Sequence, residues 1–309
     1  MNLSQVRPRA LPLNEPQTNS SAAQGCRRAL APLAFRISAL LIPMLMACHH
    51  QASVPPRPKL TIEPFNFQVA SGSDHYQIEG YFAHTDEAGR MPALLVLNGN
   101  GGDARQCIAR VAKFADLRIR LACISLPGYG KSSGPSRFVG PQSVAAARRG
   151  LDLVAERPDV DPTRVGVWGI ADGAVAAGLL MDSDHRVRAV VLQSGAYDLV
   201  KLWPGTTLGT KLSILRQVWP SKRVLQERSV IENMPSKLDC SVLILHGQQD
   251  RKNPLAQAQQ LARALRQRGA HVETRFFPDG NHQLGDMVDQ PLSDFVRANL
   301  SPTSANDGS

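Results

Sequence analysis

The chain has 309 residues, of which 43% are hydrophobic and 20% charged, and a formal net charge of +9. Those proportions exclude a disordered or fibrous protein, and the length suits one large α/β domain behind a leader. The charge does not make a nucleic-acid binder: aromatic residues are only 5%, and in residues 1–47 Arg7, Arg9, Arg27, Arg28 and Arg36 face only Glu15, which leaves +5 on the rest.

Along the chain, Arg27, Arg28 and Arg36 precede an apolar run at 37–47. That run is too short to span a bilayer and has the size of a signal-peptide core. It closes with Leu45-Met46-Ala47-Cys48, which resembles a bacterial lipobox. The resemblance implies that residues 1–47 are a signal peptide, that Cys48 is acylated, and that the protein is lipid-anchored in the bacterial cell envelope. If the cell is Gram-negative, His49 rather than aspartate in the next position makes the resemblance point to the outer membrane, facing the periplasm. An ordinary signal peptide with an incidental cysteine is the alternative. Residues 48–59, with three prolines and no apolar periodicity, read as a tether. His49 and His50 in so flexible a segment make a poor metal site.

From residue 60 to 300 strands and helices alternate. Residues 60–70 and 76–84 have the pattern of an antiparallel hairpin. Strands are expected at 93–97, 121–125, 165–168, 189–193, 241–246 and 272–277. Helices are expected at 103–115, 142–156, 174–180, 254–268 (closed by Gly269) and 284–299. The apolar but irregular stretch 199–239 reads as a small cap of one or two helices. Its Trp203 and Trp219 either seal the core or line a pocket for an apolar acyl or aromatic group. Residues 301–309 read as a disordered tail. Such alternation predicts a mostly parallel sheet with helices on both faces and ligands at the carboxyl ends of the strands. Cleavage would remove Cys26 and acylation would use Cys48. Cys107, Cys123 and Cys240 remain, an odd set whose spacing suggests neither a disulfide framework nor a zinc site. Cys123 and Cys240 read as packing residues.

The chemistry concentrates in Gly169-Ile170-Ala171-Asp172-Gly173. Two glycines bracket three residues between a short buried strand and a small-residue helix, the setting of a nucleophile elbow. The glycines are needed because the turn is sharp and the backbones crowd. The central position should carry a hydroxyl, and it holds Ala171. Centring the turn on Asp172 instead would put Ile170 where a small residue is required. Downstream, Asp250 ends one expected strand and His282 lies in the loop after the next. Upstream, Leu94-Leu95-Val96-Leu97-Asn98-Gly99-Asn100-Gly101-Gly102 is a strand running into a glycine-rich loop.

In order and setting these segments resemble the α/β-hydrolase superfamily, nearest its dienelactone-hydrolase and prolyl-oligopeptidase-like branches, over roughly residues 60–300. The resemblance implies an α/β-hydrolase fold, with Ala171 at the nucleophile position, His282 as base and Asp250 as the acid that orients it. It also implies an oxyanion hole from the backbone N–H of Asn100 or Gly101 and of Asp172, with Asn98 where histidine is more usual. The expected partner is a small-molecule ester, acyl or peptide ligand, with no cofactor and no metal. Blander readings stand beside these roles. Asp250 could cap the next helix, His282 could be a loop histidine, and Asp198, a fallback acid, could be a turn residue. Ser132 and Ser133 sit in a loop that shapes the site, and Ser194 reads as a turn residue. Ala171 itself leaves three readings open: a pseudoenzyme that binds without turnover, a Ser→Ala change introduced to trap a ligand, or a hydrolase with another nucleophile, such as water activated by His282.

Overall fold

The computed structural model describes residues 59–181 and 186–300. The leader, Cys48, the tether as far as residue 58 and the tail lie outside the described residues.

The hairpin is present as β1 (Leu60–Ser71) and β2 (Asp74–Thr85), paired antiparallel from Leu60 opposite Thr85 to Ser71 opposite Asp74. Next come β3 (Met91–Leu97), α1 (Ala104–Val111), β4 (Arg120–Ile124), α2 (Pro141–Ala155), β5 (Val160–Ile170), α3 (Asp172–Leu180) and β6 (Val187–Gln193). After the cap follow β7 (Ser241–Gly247), α7 (Leu255–Gln267), β8 (His271–Phe277) and α8 (Asp289–Leu300). Eight strands form one sheet in the order β1-β2-β4-β3-β5-β6-β7-β8. All pairs from β4 to β8 are parallel, and β2 meets β4 antiparallel.

The central strands read as continuous apolar runs because both of their faces are covered. Successive side chains point to opposite faces. Leu95, Leu97, Val167, Val190 and Ile244 therefore pack with Leu151 of α2, Ala176 of α3 and Leu261 of α7. Their neighbours Leu94, Val96, Trp168, Leu243 and Leu245 pack with Ile108 of α1 and Phe295 of α8 on the other side. Gly269 follows α7 at φ +92, the left-handed stop expected there.

Two expectations are corrected. Cys107 of α1 and Cys123 of β4 form a disulfide, with Cα atoms 6.0 Å apart, so Cys123 is not merely a packing residue; Cys240 stays free. The pairing arises because α1 packs on the face of β4 toward which Cys123 points, and residue spacing alone carries no information about that face. The cap holds three short α-helices and a 3₁₀ turn at Val230–Asn233 rather than one or two helices: α4 (Leu199–Gly205), α5 (Leu208–Leu215) and α6 (Lys222–Glu227). Side chains of Asp198, Thr207 and Ser221 accept a first-turn N–H of each in turn, the usual way to start a helix too short to sustain itself. Their apolar faces gather Leu199, Leu202, Ile214 and Leu225 over Phe138 and Ala196.

Candidate active site

β5 ends at Ile170, α3 begins at Asp172, and the single residue between them, Ala171, sits at φ 51 and ψ −113. A non-glycine residue held there costs on the order of 1–3 kcal/mol and survives only where its surroundings over-determine it. They do so here. The Ala171 N–H donates to the Gln193 carbonyl at 2.8 Å, and its own carbonyl accepts from Ala174 N at 3.0 Å. The flanking glycines are dictated by crossing backbones: a Cβ on Gly173 would fall on the Leu97 carbonyl, and one on Gly169 on the Gly173 carbonyl.

The loop after β3 is folded against this turn, since a Cβ on Gly99 would come within 2.9 Å of the Ala171 methyl. Gly102 N–H donates to the Gly99 carbonyl at 3.0 Å, and Gly101 takes φ +78, which only glycine adopts freely. Asn98 is buried and donates through Nδ2 to the Asp103 carbonyl, so it braces the loop from within.

Asp250 and His282, 32 residues apart, meet with Oδ2 at 2.8 Å from Nδ1. The other oxygen of Asp250 accepts from Lys252 N at 2.9 Å and Asn253 N at 3.0 Å. The helix-cap reading of this aspartate is therefore corrected: α7 begins after Pro254 with no side-chain cap, and Asp250 uses one oxygen to close the loop ahead of it and the other to hold the imidazole. Burial pushes the carboxyl up, but the His282 bond, the Asn253 N–H and the two neighbouring imidazoles together hold it below the usual range. Sequence reasoning passed over His246, four residues upstream. It is fully buried, its Nε2 lies 2.7 Å from the Asn253 carbonyl, and burial lowers its pKa. Facing a carbonyl, Nε2 carries the proton and donates. His246 thus fixes the loop from which Asp250 reaches His282. A polar ring inside an otherwise apolar strand was the signal for it.

Asp172 was singled out for its backbone N–H, but its side chain is unusual too. Burial pushes its carboxyl up to about 6, against the pull of His282 and Lys252. Its Oδ2 is enclosed without a hydrogen-bond partner among the described residues.

Ala171, Asp172, Asn100, Gly101 and His282 all line one cavity of about 780 Å³ at the carboxyl edge of the sheet, with Trp168 at its wall. A second depression of about 810 Å³ shares His282 with it and takes in Asp250. The first is the one that joins the strained turn to the imidazole. Arg110, Lys113 and Lys252 on its rim were not anticipated. Lys113 is held there by Asp286 at 2.8 Å and Asp289 at 2.5 Å.

The remaining candidates fall elsewhere. Ser132 and Ser133 bond the backbone N–H groups of Glu79 and Gln77, which pins their loop to β2. Ser194 is buried at φ 53 with its hydroxyl unpartnered among the described residues, and its backbone does the bonding. Asp198 caps α4. Neither Trp203 nor Trp219 lines the cavity, so the pocket-lining reading of the cap tryptophans is corrected: Trp203 packs with the cap cluster and Trp219 stands 77% exposed. Cys48 lies outside the described residues.

A mostly parallel sheet in this order, a strained strand-to-helix turn at its centre and an acid–imidazole pair on the loops after β7 and β8 define the α/β-hydrolase fold. Residues 141–296, just over half of the chain, match the prolyl oligopeptidase family, and the chain belongs to that family. Among relatives, it is 27% identical over 271 residues to acylamino-acid-releasing enzyme 2 of Oryza sativa subsp. japonica, spanning 80% of this chain but only 33% of the rice protein. The acylaminoacyl peptidase of Pyrococcus horikoshii superposes with a TM-score of 0.64 at 15% identity, covering 80% of this chain and 43% of that one. The acetyl xylan esterase of Paenibacillus sp. R4 superposes with a TM-score of 0.65 at 18% identity, covering 80% and 86%. At such identities the two structures establish the fold alone.

Proposed function

We propose that the protein is a lipid-anchored envelope member of the family that holds an ester, acyl or peptide ligand in an esterase-like site without efficient turnover. The observation that carries this reading is the strained turn at Ala171, kept intact beside the Asp250–His282 pair although position 171 has only a methyl to present. Strain of that kind has a purpose where it aims a side chain or a backbone N–H at a ligand. Here the N–H groups of Asp172 and of Asn100 or Gly101 would hold the carbonyl oxygen of the ligand at the start of α3. His282, held through Nδ1, would turn Nε2 toward the same place.

Without a hydroxyl at 171 no acyl-enzyme can form there. Loss of a triad nucleophile removes about 10⁶ in turnover, because the residues act as a unit. An oxyanion hole and binding alone retain about 10³–10⁴ over water. The names of the similar proteins, an acylaminoacyl peptidase and an acetyl xylan esterase, support an acyl-bearing ligand. The Cys107–Cys123 disulfide supports export, since such bonds persist in oxidising compartments such as the periplasm. The lipobox-like stretch before Cys48 supports the anchor, and incorporation of labelled palmitate that disappears in Cys48→Ser tests it.

The decisive experiment is hydrolysis of short-chain p-nitrophenyl esters by the chain, by Ala171→Ser and by the double variant Ala171→Ser/His282→Ala. A gain of several orders of magnitude in Ala171→Ser, abolished in the double variant, is the expected result. Efficient turnover by the unaltered chain would sink the reading and place the nucleophile elsewhere.

A further inference from the structure

The cap carries a surface that the cavity does not use. On α5, Leu208 is 72% exposed, Leu212 45% and Leu215 41%, and Trp219 just beyond it is 77% exposed. At about 100° per residue the three leucines fall in one stripe about 60° wide, with Lys211 on one flank and Arg216 on the other. The opposite side of the helix carries Thr210 and Ser213, which line the cavity, and the buried Ile214. Four large apolar groups exposed together on a short segment mark an interaction surface.

Charge says what covers it. Residues 199–226 include Lys201, Lys211, Arg216, Lys222 and Arg223 and not one aspartate or glutamate. Lys201 reaches back to the buried Asp198 and Arg223 pairs with Glu227, whereas Lys211, Arg216 and Lys222 have no carboxylate partner among the described residues. A second copy of the chain is a poor occupant, because a two-fold contact would set this patch of cations against itself.

We propose that this face of the cap seats on an anionic phospholipid bilayer. The leucine stripe and Trp219 enter the headgroup boundary, and the flanking cations meet the lipid phosphates. Exposed leucines beside unpaired Lys and Arg suit a surface whose apolar interior lies beneath anionic headgroups, and tryptophan favours that depth. The inference rests on the cap's own residues and stands whether or not Cys48 is acylated. Since α5 also walls the cavity, its outer face touches lipid while its inner face touches the ligand.

The test uses the full chain with vesicles of phosphatidylcholine alone or with phosphatidylglycerol, carrying brominated acyl chains to quench nearby tryptophan. Trp219→Phe separates its emission from that of Trp168 and Trp203. The expected result is a blue shift and quenching of Trp219 with the anionic vesicles only, reversed by salt. The ratio of seated to free cap should fall about fivefold for each cation removed in Arg216→Gln and Lys222→Gln, with unchanged melting temperatures showing that the fold is intact. Unquenched Trp219, or equal quenching by neutral and anionic vesicles, would overturn the proposal. A blue shift without vesicles that grows with protein concentration would assign the face to a second copy instead.

Discussion

Replacing Asp172 by asparagine should stabilise the protein at neutral pH and lose that advantage in acid. The carboxyl of Asp172 is pushed from 3.8 up to about 6 by desolvation, since the residue is half-buried and its enclosed Oδ2 has no hydrogen-bond partner among the described residues. Between those values the folded protein keeps a proton that the unfolded chain releases, so this group makes stability fall as pH rises through the window. Above about pH 7 the penalty stands, at most about 3 kcal/mol for a half-buried residue. The negative charge at the first residue of α3 recovers at most about 1 kcal/mol through the helix dipole, leaving about 2–3. For a domain of this size that is a rise of about 4–12 °C in melting temperature. Melting of the two proteins from pH 4 to pH 8 measures it. Any fixed cost of the buried amide is the same at every pH, so the quantity to read is the change in the difference between the curves. A difference that is flat across the range would show that Asp172 is not ionised against burial, and the electrostatic description of the cavity floor would fall.

Other perturbations have equally definite outcomes. Cys107→Ser, or reduction of the native protein, should cost about 3 kcal/mol by opening a loop of 16 residues, whereas Cys240→Ser should change the melting temperature little. Gly173→Ala should fail to give folded protein, because its Cβ meets the Leu97 carbonyl, backbone that cannot yield; a soluble, cooperatively melting variant would refute the crossing described at the turn. In an Ala171→Ser background, Asp250→Asn should lower ester turnover by about 10⁴ while leaving most ligand binding, as expected of a group that orients an imidazole. Because its carboxyl is held low in the fold, Asp250 lends stability above the ordinary carboxylate range, lost as pH falls through its folded value. Acid unfolding of Asp250→Asn should therefore begin from a lower, flatter baseline.

Much of this protein was legible residue by residue. Strands whose faces are both covered must be apolar throughout, so β3, β5 and β7 stood out, and the turn between β5 and α3 declared itself through glycines that no other residue could replace. The order of turn, acid and imidazole pointed to Asp250 and His282 because each follows a strand whose carboxyl end is the ligand edge. What local pattern could not carry was the direction in which a side chain faces once helices dock. Cys107 and Cys123 meet only because α1 lies on one particular side of β4. His246 looked like a strand residue until the loop 250–253 folded back over it, and the enclosed oxygen of Asp172 has no counterpart in the order of residues. The sequence left the cap tryptophans between sealing the core and lining a pocket; the docking of α5 turned Ser213 inward and left Trp219 in solvent. Periodicity and backbone sterics act over a few neighbouring residues and are written in the chain; burial, pairing and cavity shape depend on surfaces brought together from distant segments, and those are decided only by the packed fold.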